Sequence, residues 1–343
     1  MGMLDSVGIK LVAALQGGGA HGAYTWGVLD RLLDEPAIRF TGFSGTSAGA
    51  MNAVVCAHGL ALGGRQGAQA ALARFWSAVA DASRLTPAQP GPLDRLLGDD
   101  SLHWSPGFRS FIALTRVLSP YQFNPLNVNP LRDILEAQID FERLRAPAAP
   151  RLWVAATRVR TGTVRLFTNA ELSIDAVLAS ACLPSLHQAV VIDGELYWDG
   201  GYSANPPVRV PAESGAANDL LLVLLAPLER EGPFHTAPEI LGRASEIAFH
   251  ATFIQEMQGL AERAAAPIWQ RYSDPAARRR YHLLAAGPEL TELPQPSKLN
   301  ADRAFLDRLF EAGRSRAEAW LAADGAALGR GRGIDLADVF GEL

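Results

Sequence analysis

The sequence has few lysines and cysteines, and no hydrophobic run long enough to cross a bilayer. Its two lysines are Lys10 and Lys298, so arginine supplies almost all of the 31 basic residues. With a net charge of −5, the chain lacks the basic balance expected of a nucleic-acid-binding protein, and we predict no nucleic-acid partner. The two cysteines, Cys56 and Cys182, lie in apolar segments of helical character. We therefore expect reduced, buried thiols and no disulfide.

Two further absences limit the chemistry. His, Cys, Asp and Glu do not cluster with the spacing of metal ligands, so the sequence predicts no metal and no cofactor. The first residues lack a charged segment followed by an apolar one, which is the pattern of a secretory signal. We therefore expect a soluble, cytoplasmic protein. Its 343 residues, 48% of them hydrophobic, suffice for one large α/β domain or two ordinary ones.

A G-x-S-x-G motif stands between a predicted strand at 38–43 and a predicted helix at 48–60. This context is typical of a nucleophile elbow, where a serine occupies a tight, strained turn. The serine is Ser47, and the flanking glycines, Gly45 and Gly49, allow strand and helix to approach closely. We predict Ser47 as a nucleophile. The alternative is that its hydroxyl only caps the following helix.

A second glycine-rich turn, residues 17–22, follows the strand-like run at 11–15. The bare backbone N–H groups of Gly17, Gly18 and Gly19 suit an oxyanion or a phosphate. The turn also fits the G-x-G-x-x-G pattern of dinucleotide-binding proteins. That pattern expects an acidic residue at the end of the next strand, which this chain lacks, so dinucleotide binding is a remote alternative.

A serine nucleophile needs a base, and histidine is the usual one. We find no histidine in a setting that indicates catalysis. Only one strand–helix unit precedes the elbow strand, which argues against the Ser-His-Asp order of α/β-hydrolases. The histidines considered were His21, His58, His103, His187, His235, His250 and His282.

Four motifs in this order resemble those of the patatin-like phospholipases over roughly residues 9–228. They are residues 17–22, residues 45–49, the A-S-x-x-x-P segment at 179–184 and the Asp-Gly-Gly at 199–201. The resemblance implies an α/β protein with a three-layer α/β/α fold, a central and mostly parallel sheet, and additional C-terminal helices. It also implies a Ser-Asp dyad without histidine.

Carried over by position, the resemblance makes Ser47 the nucleophile and Asp199 the base. The backbone N–H groups of Gly17, Gly18 and Gly19 would form the oxyanion hole. Many family members have Arg where this chain has His21, so no fixed positive charge is predicted there. The supporting motif positions are His21, Gly22, Gly45, Gly49, Gly200 and Gly201.

The chemistry of Asp199 can also be argued from the residues around it. It follows the strand-like residues 196–198, and α/β sites cluster at strand ends. A carboxylate near its ordinary pKa of about 4 is a weak base toward a hydroxyl. Partial desolvation would strengthen it, and Tyr197, Trp198 and Tyr202 could provide that. The alternative is that Asp-Gly-Gly is only a turn.

For the chain as a whole we predict a catalytic core at 9–228. Within it, the Pro- and Gly-rich residues 87–130 are predicted to be an irregular insertion, either a lid or pocket wall or a packed surface excursion. Residues 229–323 are predicted to be a mainly helical part packed on the core, and 324–343 a tail. A helix over 240–260 should cover the sheet with the apolar positions Ile240, Ala244, Ile247, Ala251, Ile254 and Met257.

The resemblance predicts a serine acyl hydrolase that cleaves phospholipids or related acyl lipids through an acyl-Ser47 intermediate. Its partners would be the acyl-lipid substrate and, transiently, a membrane surface. A general carboxylesterase or lysophospholipase is the nearest alternative. A non-catalytic lipid-binding protein is more remote, and the oligomeric state is left open.

Overall fold

The structure is a computed structural model that describes residues 8–84, 86, 88–341 and 343. Residue 87, where the predicted insertion begins, lies outside this part. The described residues form an eight-stranded sheet with the order β5-β6-β3-β2-β1-β7-β8, and β4 also pairs with β3. The strands are β1 Ile9–Leu15, β2 Ile38–Thr46, β3 Arg151–Arg158, β4 Val164–Thr168, β5 Val190–Ile192, β6 Glu195–Asp199, β7 Asp219–Leu224 and β8 Arg280–Ala285.

The predicted mostly parallel sheet is confirmed. Strands β3, β2, β1, β7 and β8 run parallel to one another. β4 and β6 each pair antiparallel with β3, and β5 pairs antiparallel with β6. The carboxyl ends of the parallel strands therefore meet at one edge of the sheet, where β2 leads into the serine elbow.

Both faces of this sheet are covered, which gives the predicted three layers. In β1, Leu11, Ala13 and Leu15 belong to one apolar cluster, while Val12 and Ala14 belong to another on the opposite face. A strand that is buried on both faces reads as a continuous apolar run. The helices are α1 Gly22–Leu33, α2 Ala48–Ser83, α3 Pro92–Leu97, α4 Pro106–Thr115, α5 Pro120–Phe123, α6 Pro130–Gln138, α7 Phe141–Arg145, α8 Ile174–Ser180, α9 Arg209–Glu213, α10 Ala237–Ala265, α11 Ile268–Ser273, α12 Pro288–Thr291, α13 Arg303–Ala323 and α14 Leu336–Phe340.

The segment predicted as an irregular insertion contains three short helices, so that description is wrong. α3, α4 and α5 each begin with a proline: Pro92, Pro106 and Pro120. Proline suits the first helical position, because its fixed φ fits the helix and its missing N–H has no helical partner there. Residues that indicated a broken chain therefore mark helix starts.

The long C-terminal helix exists and packs on the sheet with Met257, as predicted, but its buried face matches the predicted one only in part. α10 buries Glu246, His250 and Phe253, whereas Ile240 and Ile247 are each 51% exposed. The two polar residues on the buried face have partners: Glu246 pairs with Arg230, and His250 with Gln16. Apolar periodicity assigns such residues to solvent, and this is why the prediction missed them.

The predicted C-terminal tail is also wrong, since part of it packs on α10. Leu336 and Phe340, on α14, are buried, and the Phe340 ring lies 5.8 Å from that of Phe253. Asp335 caps this helix by accepting the Ala337 N–H. One short turn with two apolar residues gives too weak a sequence signal to separate it from a disordered end. Among the residues described, no helix combines the length and apolar character needed to cross a bilayer.

Candidate active site

Ser47 occupies a strained turn between β2 and α2, with φ 54° and ψ −123°. A non-glycine residue in this region is costly and is found mainly where function demands it. The close packing requires the flanking glycines: a Cβ on Gly45 would come within 2.5 Å of the Gly49 backbone, and one on Gly49 within 2.2 Å of the Leu15 carbonyl. The Ser47 side chain makes no capping hydrogen bond to α2. The helix-cap alternative therefore has no support.

A second serine fixes the orientation of this turn. The Ser47 N–H donates to Ser180 Oγ over 2.9 Å, and the Ser47 carbonyl accepts the Met51 N–H over 3.0 Å. Ser180 is the last residue of α8 and lies in the 179–184 segment. Sequence analysis singled out that segment but assigned no role to Ser180. The hydrogen bond from the Ser47 N–H indicates that Ser180 holds this turn in place.

Strand pairing brings Asp199 to the same edge of the sheet. Thr46, the residue before Ser47, pairs with Ala155 of β3, and the next residue of β3, Ala156, pairs with Asp199 at the end of β6. The serine and the aspartate thus lie on strands that both neighbour β3. Register, not sequence proximity, places them together.

The Asp199 carboxyl group is 1% exposed, and its two oxygens differ in their surroundings. Oδ1 accepts the Gly201 N–H over 2.7 Å, while Oδ2 is buried without a hydrogen bond of standard geometry from any described residue. Burial raises the pKa of Asp199 to about 7, and the Gly201 N–H and the Ser47 hydroxyl act in the opposite direction. The Ser47 hydroxyl is therefore close to the carboxyl group without being ideally aligned. Catalytic hydrogen bonds are often of this kind in unliganded enzymes.

The first glycine turn lies directly against the serine. A Cβ on Gly17 would come within 3.0 Å of Ser47 Cβ. The Gly17 N–H is already used, because it donates to Asn205 Oδ1 over 2.7 Å. No described residue accepts a hydrogen bond from the N–H of Gly18 or Gly19. Of the three predicted oxyanion donors, Gly18 and Gly19 are thus the available ones.

The loop after Asp199 is hydrogen-bonded to both glycine turns. Besides the bond from Gly17 to Asn205, Thr46 Oγ1 donates to the Ala204 carbonyl and Ser44 Oγ to the Pro207 carbonyl, each over 2.6 Å. Asn205 was missed by sequence analysis. The available signal was its position, four residues after the Asp-Gly-Gly motif.

The His21 side chain contacts the C-terminal half of the chain. Its Nε2 lies 2.8 Å from Ser297 Oγ, and this hydroxyl in turn donates to the Pro294 carbonyl. A hydroxyl has one proton, so His21 Nε2 is the donor in the first bond. Burial lowers the pKa of His21 to about 3, with a smaller contribution from Lys298. His21 is therefore neutral near pH 7, and it links the first glycine turn to Ser297.

The remaining motif glycines allow close packing around the site. A Cβ on Gly22 would come within 2.7 Å of the Ala48 Cβ, and one on Gly200 within 2.2 Å of the Ala155 carbonyl. A Cβ on Gly201 would meet the Phe249 ring at 2.2 Å. Phe249 belongs to α10, so this helix covers the site. Within the described residues, His, Cys, Asp and Glu form no group of three or more that could hold a metal ion.

Comparison with known proteins yields one family match. A family model for patatin-like phospholipases matches residues 13–212, more than half of the chain. No curated protein is significantly similar in sequence.

Among solved structures, VipD from Legionella pneumophila is 15% identical, with a TM-score of 0.43 over 92% of this chain and 67% of VipD. ExoU, in its complex with SpcU from the type III secretion system of Pseudomonas aeruginosa, is 17% identical. Its TM-score is 0.31 over 98% of this chain and 58% of the other. The chain thus spans well under two thirds of the length of ExoU.

Proposed function

This chain belongs to the patatin-like phospholipase family, a family of lipid acyl hydrolases, and we propose that it hydrolyses phospholipids or related acyl lipids with Ser47 as nucleophile and Asp199 as base. One observation carries the proposal. The Ser47 hydroxyl stands on a strained turn close to the buried Asp199 carboxyl group, whose Oδ2 has no hydrogen bond of standard geometry from the described residues. Strain and an unsatisfied buried charge are both costly, and both occur where catalysis uses them.

The reaction follows from this arrangement. Asp199 accepts the Ser47 proton as Oγ attacks the ester carbonyl carbon, and the Gly18 and Gly19 N–H groups stabilise the resulting oxyanion. The intermediate collapses, the proton passes from Asp199 to the departing alcohol, and acyl-Ser47 remains. Water then attacks the acyl group, with Asp199 accepting its proton and returning one to Ser47. A base with a pKa of about 7 is well matched to this task near neutral pH.

We also propose that the helices after the predicted core, 9–228, complete the site, and that residues 88–130 form one wall. Gln188 Nε2 donates to the Asn124 carbonyl over 2.8 Å, and Asn300 Nδ2 to the Asp100 carbonyl over 3.2 Å. These bonds hold the segment beside strands and loops of the site.

The same segment supports a transient membrane contact by a cytoplasmic protein, because it concentrates exposed apolar side chains. Binding to phospholipid vesicles would measure that contact. The exposed residues are Leu93, Leu96, Leu97, Trp104, Leu114, Val117, Tyr121, Leu126 and Val128.

Covalent labelling tests the nucleophile. A fluorophosphonate probe should label the wild-type protein, and Ser47→Ala should abolish both labelling and ester hydrolysis, to below about 10⁻³ of wild type. The matched control is Ser214→Ala, which removes a hydroxyl that bonds only within the 211–216 turn. This control should label normally. Persistent labelling or substantial hydrolysis by folded Ser47→Ala protein would refute the assignment.

A further inference from the structure

One of the two lysines, Lys298, lies against the available end of the glycine turn. A Cβ on Gly19 would come within 2.4 Å of the Lys298 carbonyl oxygen and 3.6 Å of the Lys298 Cβ. The hydrogen bond from His21 to Ser297 holds this segment in place. The Lys298 backbone and Cβ therefore lie next to Gly19, one of the two residues whose N–H groups we assign to the oxyanion.

Lys298 and the two arginines near it differ in whether a carboxylate pairs with them. Glu246 pairs with Arg230 over 2.9 Å and with Arg243 over 3.2 Å. Lys298 has no carboxylate of the described residues within ion-pair distance, although it is attracted by Glu246 and repelled by Arg230. Burial lowers the pKa of Lys298, as expected for an ammonium group without a close counter-ion.

The histidines near Lys298 are neutral and do not change the count of charges around it. His250 Nε2 accepts from the Gln16 amide, whose oxygen is occupied by the N–H groups of Leu225 and Ala226. Burial lowers the pKa of His250 to about 4, and His21 is neutral as well. Glu246 thus pairs with two arginines, and Lys298 is a third nearby cation for which the described residues provide no paired carboxylate.

We propose that Lys298 binds the phosphate of a glycerophospholipid whose ester carbonyl lies at the Gly18 and Gly19 N–H groups. This rests on the proposed function and adds a specificity-determining residue to it. In such lipids the phosphate is only a few bonds from the ester carbonyl, so one molecule can reach both. Lysine is a common phosphate ligand, and the phosphate would supply a counter-ion that the described residues do not give the Lys298 ammonium.

Two monoacyl lipids, one with a phosphoglycerol headgroup and one without a phosphate, test the proposal. We expect Lys298→Met to lower kcat/KM for a lysophosphatidylglycerol about tenfold or more, the loss expected for a charged hydrogen bond. With a monoacylglycerol of the same acyl chain the change should stay within twofold. The matched control is Lys10→Met, which removes the other lysine, an exposed one at the start of β1. It should affect neither substrate.

Binding provides a readout that does not need turnover. In the Ser47→Ala background, Lys298→Met should weaken binding of lysophosphatidylglycerol micelles, measured by calorimetry, about tenfold. Glycerol 3-phosphate, titrated in parallel, shows whether the phosphate alone suffices. Unchanged binding of both probes would overturn the proposal.

Equal losses of kcat/KM on both substrates would also overturn the proposal. They would show that Lys298 supports the site through its contact with Gly19 and does not recognise the phosphate. If the wild type turned over neither lipid, the proposed function would fail. The binding measurement would still decide whether Lys298 binds the phosphate.

Discussion

The central sheet has a buried aspartate at each of the two edges formed by its strand ends. The two carboxyl groups differ in how completely they are hydrogen-bonded. Asp219, at the start of β7, is 2% exposed and is bound by Arg280, His282 and the Gly329 N–H. Asp199, at the serine edge, is 1% exposed and has one oxygen without a standard hydrogen bond among the described residues. The same side chain is thus fully paired at one edge and left partly unpaired at the other.

The difference separates a structural carboxylate from a candidate catalytic one. Burial raises the pKa of Asp219, but hydrogen bonds from Arg280, His282 and Gly329 outweigh it, and the net pKa lies well below the ordinary value. At Asp199 burial prevails and the pKa rises to about 7. A buried carboxyl group that is only partly paired and has a raised pKa is the kind expected at a functional site, which supports the proposed role of Asp199.

The sharpest way to break this comparison is to neutralise each aspartate in turn. Asp199→Asn should lower kcat by about 10²–10⁴, the usual loss for a general base. Its free energy of unfolding should not fall, because the substitution removes a buried charge. Asp219→Asn should retain the kcat of wild type for the fraction that is folded. Esterase assays with active-site titration would measure both, and an Asp199→Asn variant within threefold of wild type would exclude Asp199 as the base.

The two variants should rank in the opposite order for stability, with Asp219→Asn having the lower free energy of unfolding. Asp219→Asn removes the charge that Arg280 and His282 face, and breaking a buried pair in this way costs about 3–5 kcal/mol. Urea unfolding of both variants measures the difference. If Asp219→Asn were as stable as wild type, the carboxylate would not be the structural element inferred here.

The two aspartates should also divide the pH dependence between them. Activity needs ionised Asp199, so kcat/KM should rise with pH and level off above about pH 7. The pKa of folded Asp219 is lowered, so its stabilising effect is fully present above the ordinary pKa of about 4 and is lost as pH falls below it. Between pH 5 and pH 7, activity should therefore change while the contribution of Asp219 to stability stays constant. A profile that is flat across pH 7 would contradict the assigned base.

A smaller effect tests how rigidly the serine edge is held. Ser180→Ala removes the acceptor of the Ser47 N–H and should lower kcat about tenfold, within the range for an unsatisfied buried donor. Ser214→Ala, near the opposite edge, deletes a hydroxyl of the same kind and should leave kcat unchanged. Equal kcat values for the two variants would mean that the contact with Ser180 does not position the nucleophile.

Sequence analysis predicted the elements whose signals are local. The strands β1 and β2 and the glycines at 45 and 49 follow from strand burial and turn geometry. It failed where a residue acts through distant partners. The buried face of α10 contains Glu246 and His250, and their burial depends on Arg230 and Gln16.

The sequence by itself determined the turn that carries Ser47, because only glycines permit such a close approach of strand and helix. Tertiary structure decided the electrostatics. It paired the Gly17 N–H with Asn205, 188 positions away, and it brought the Lys298 segment to Gly19 through a His21–Ser297 bond spanning 276 positions. It also removed Asp199 from water. Hydrogen bonding and desolvation depend on what surrounds a group in space, and no local pattern of residues specifies those surroundings.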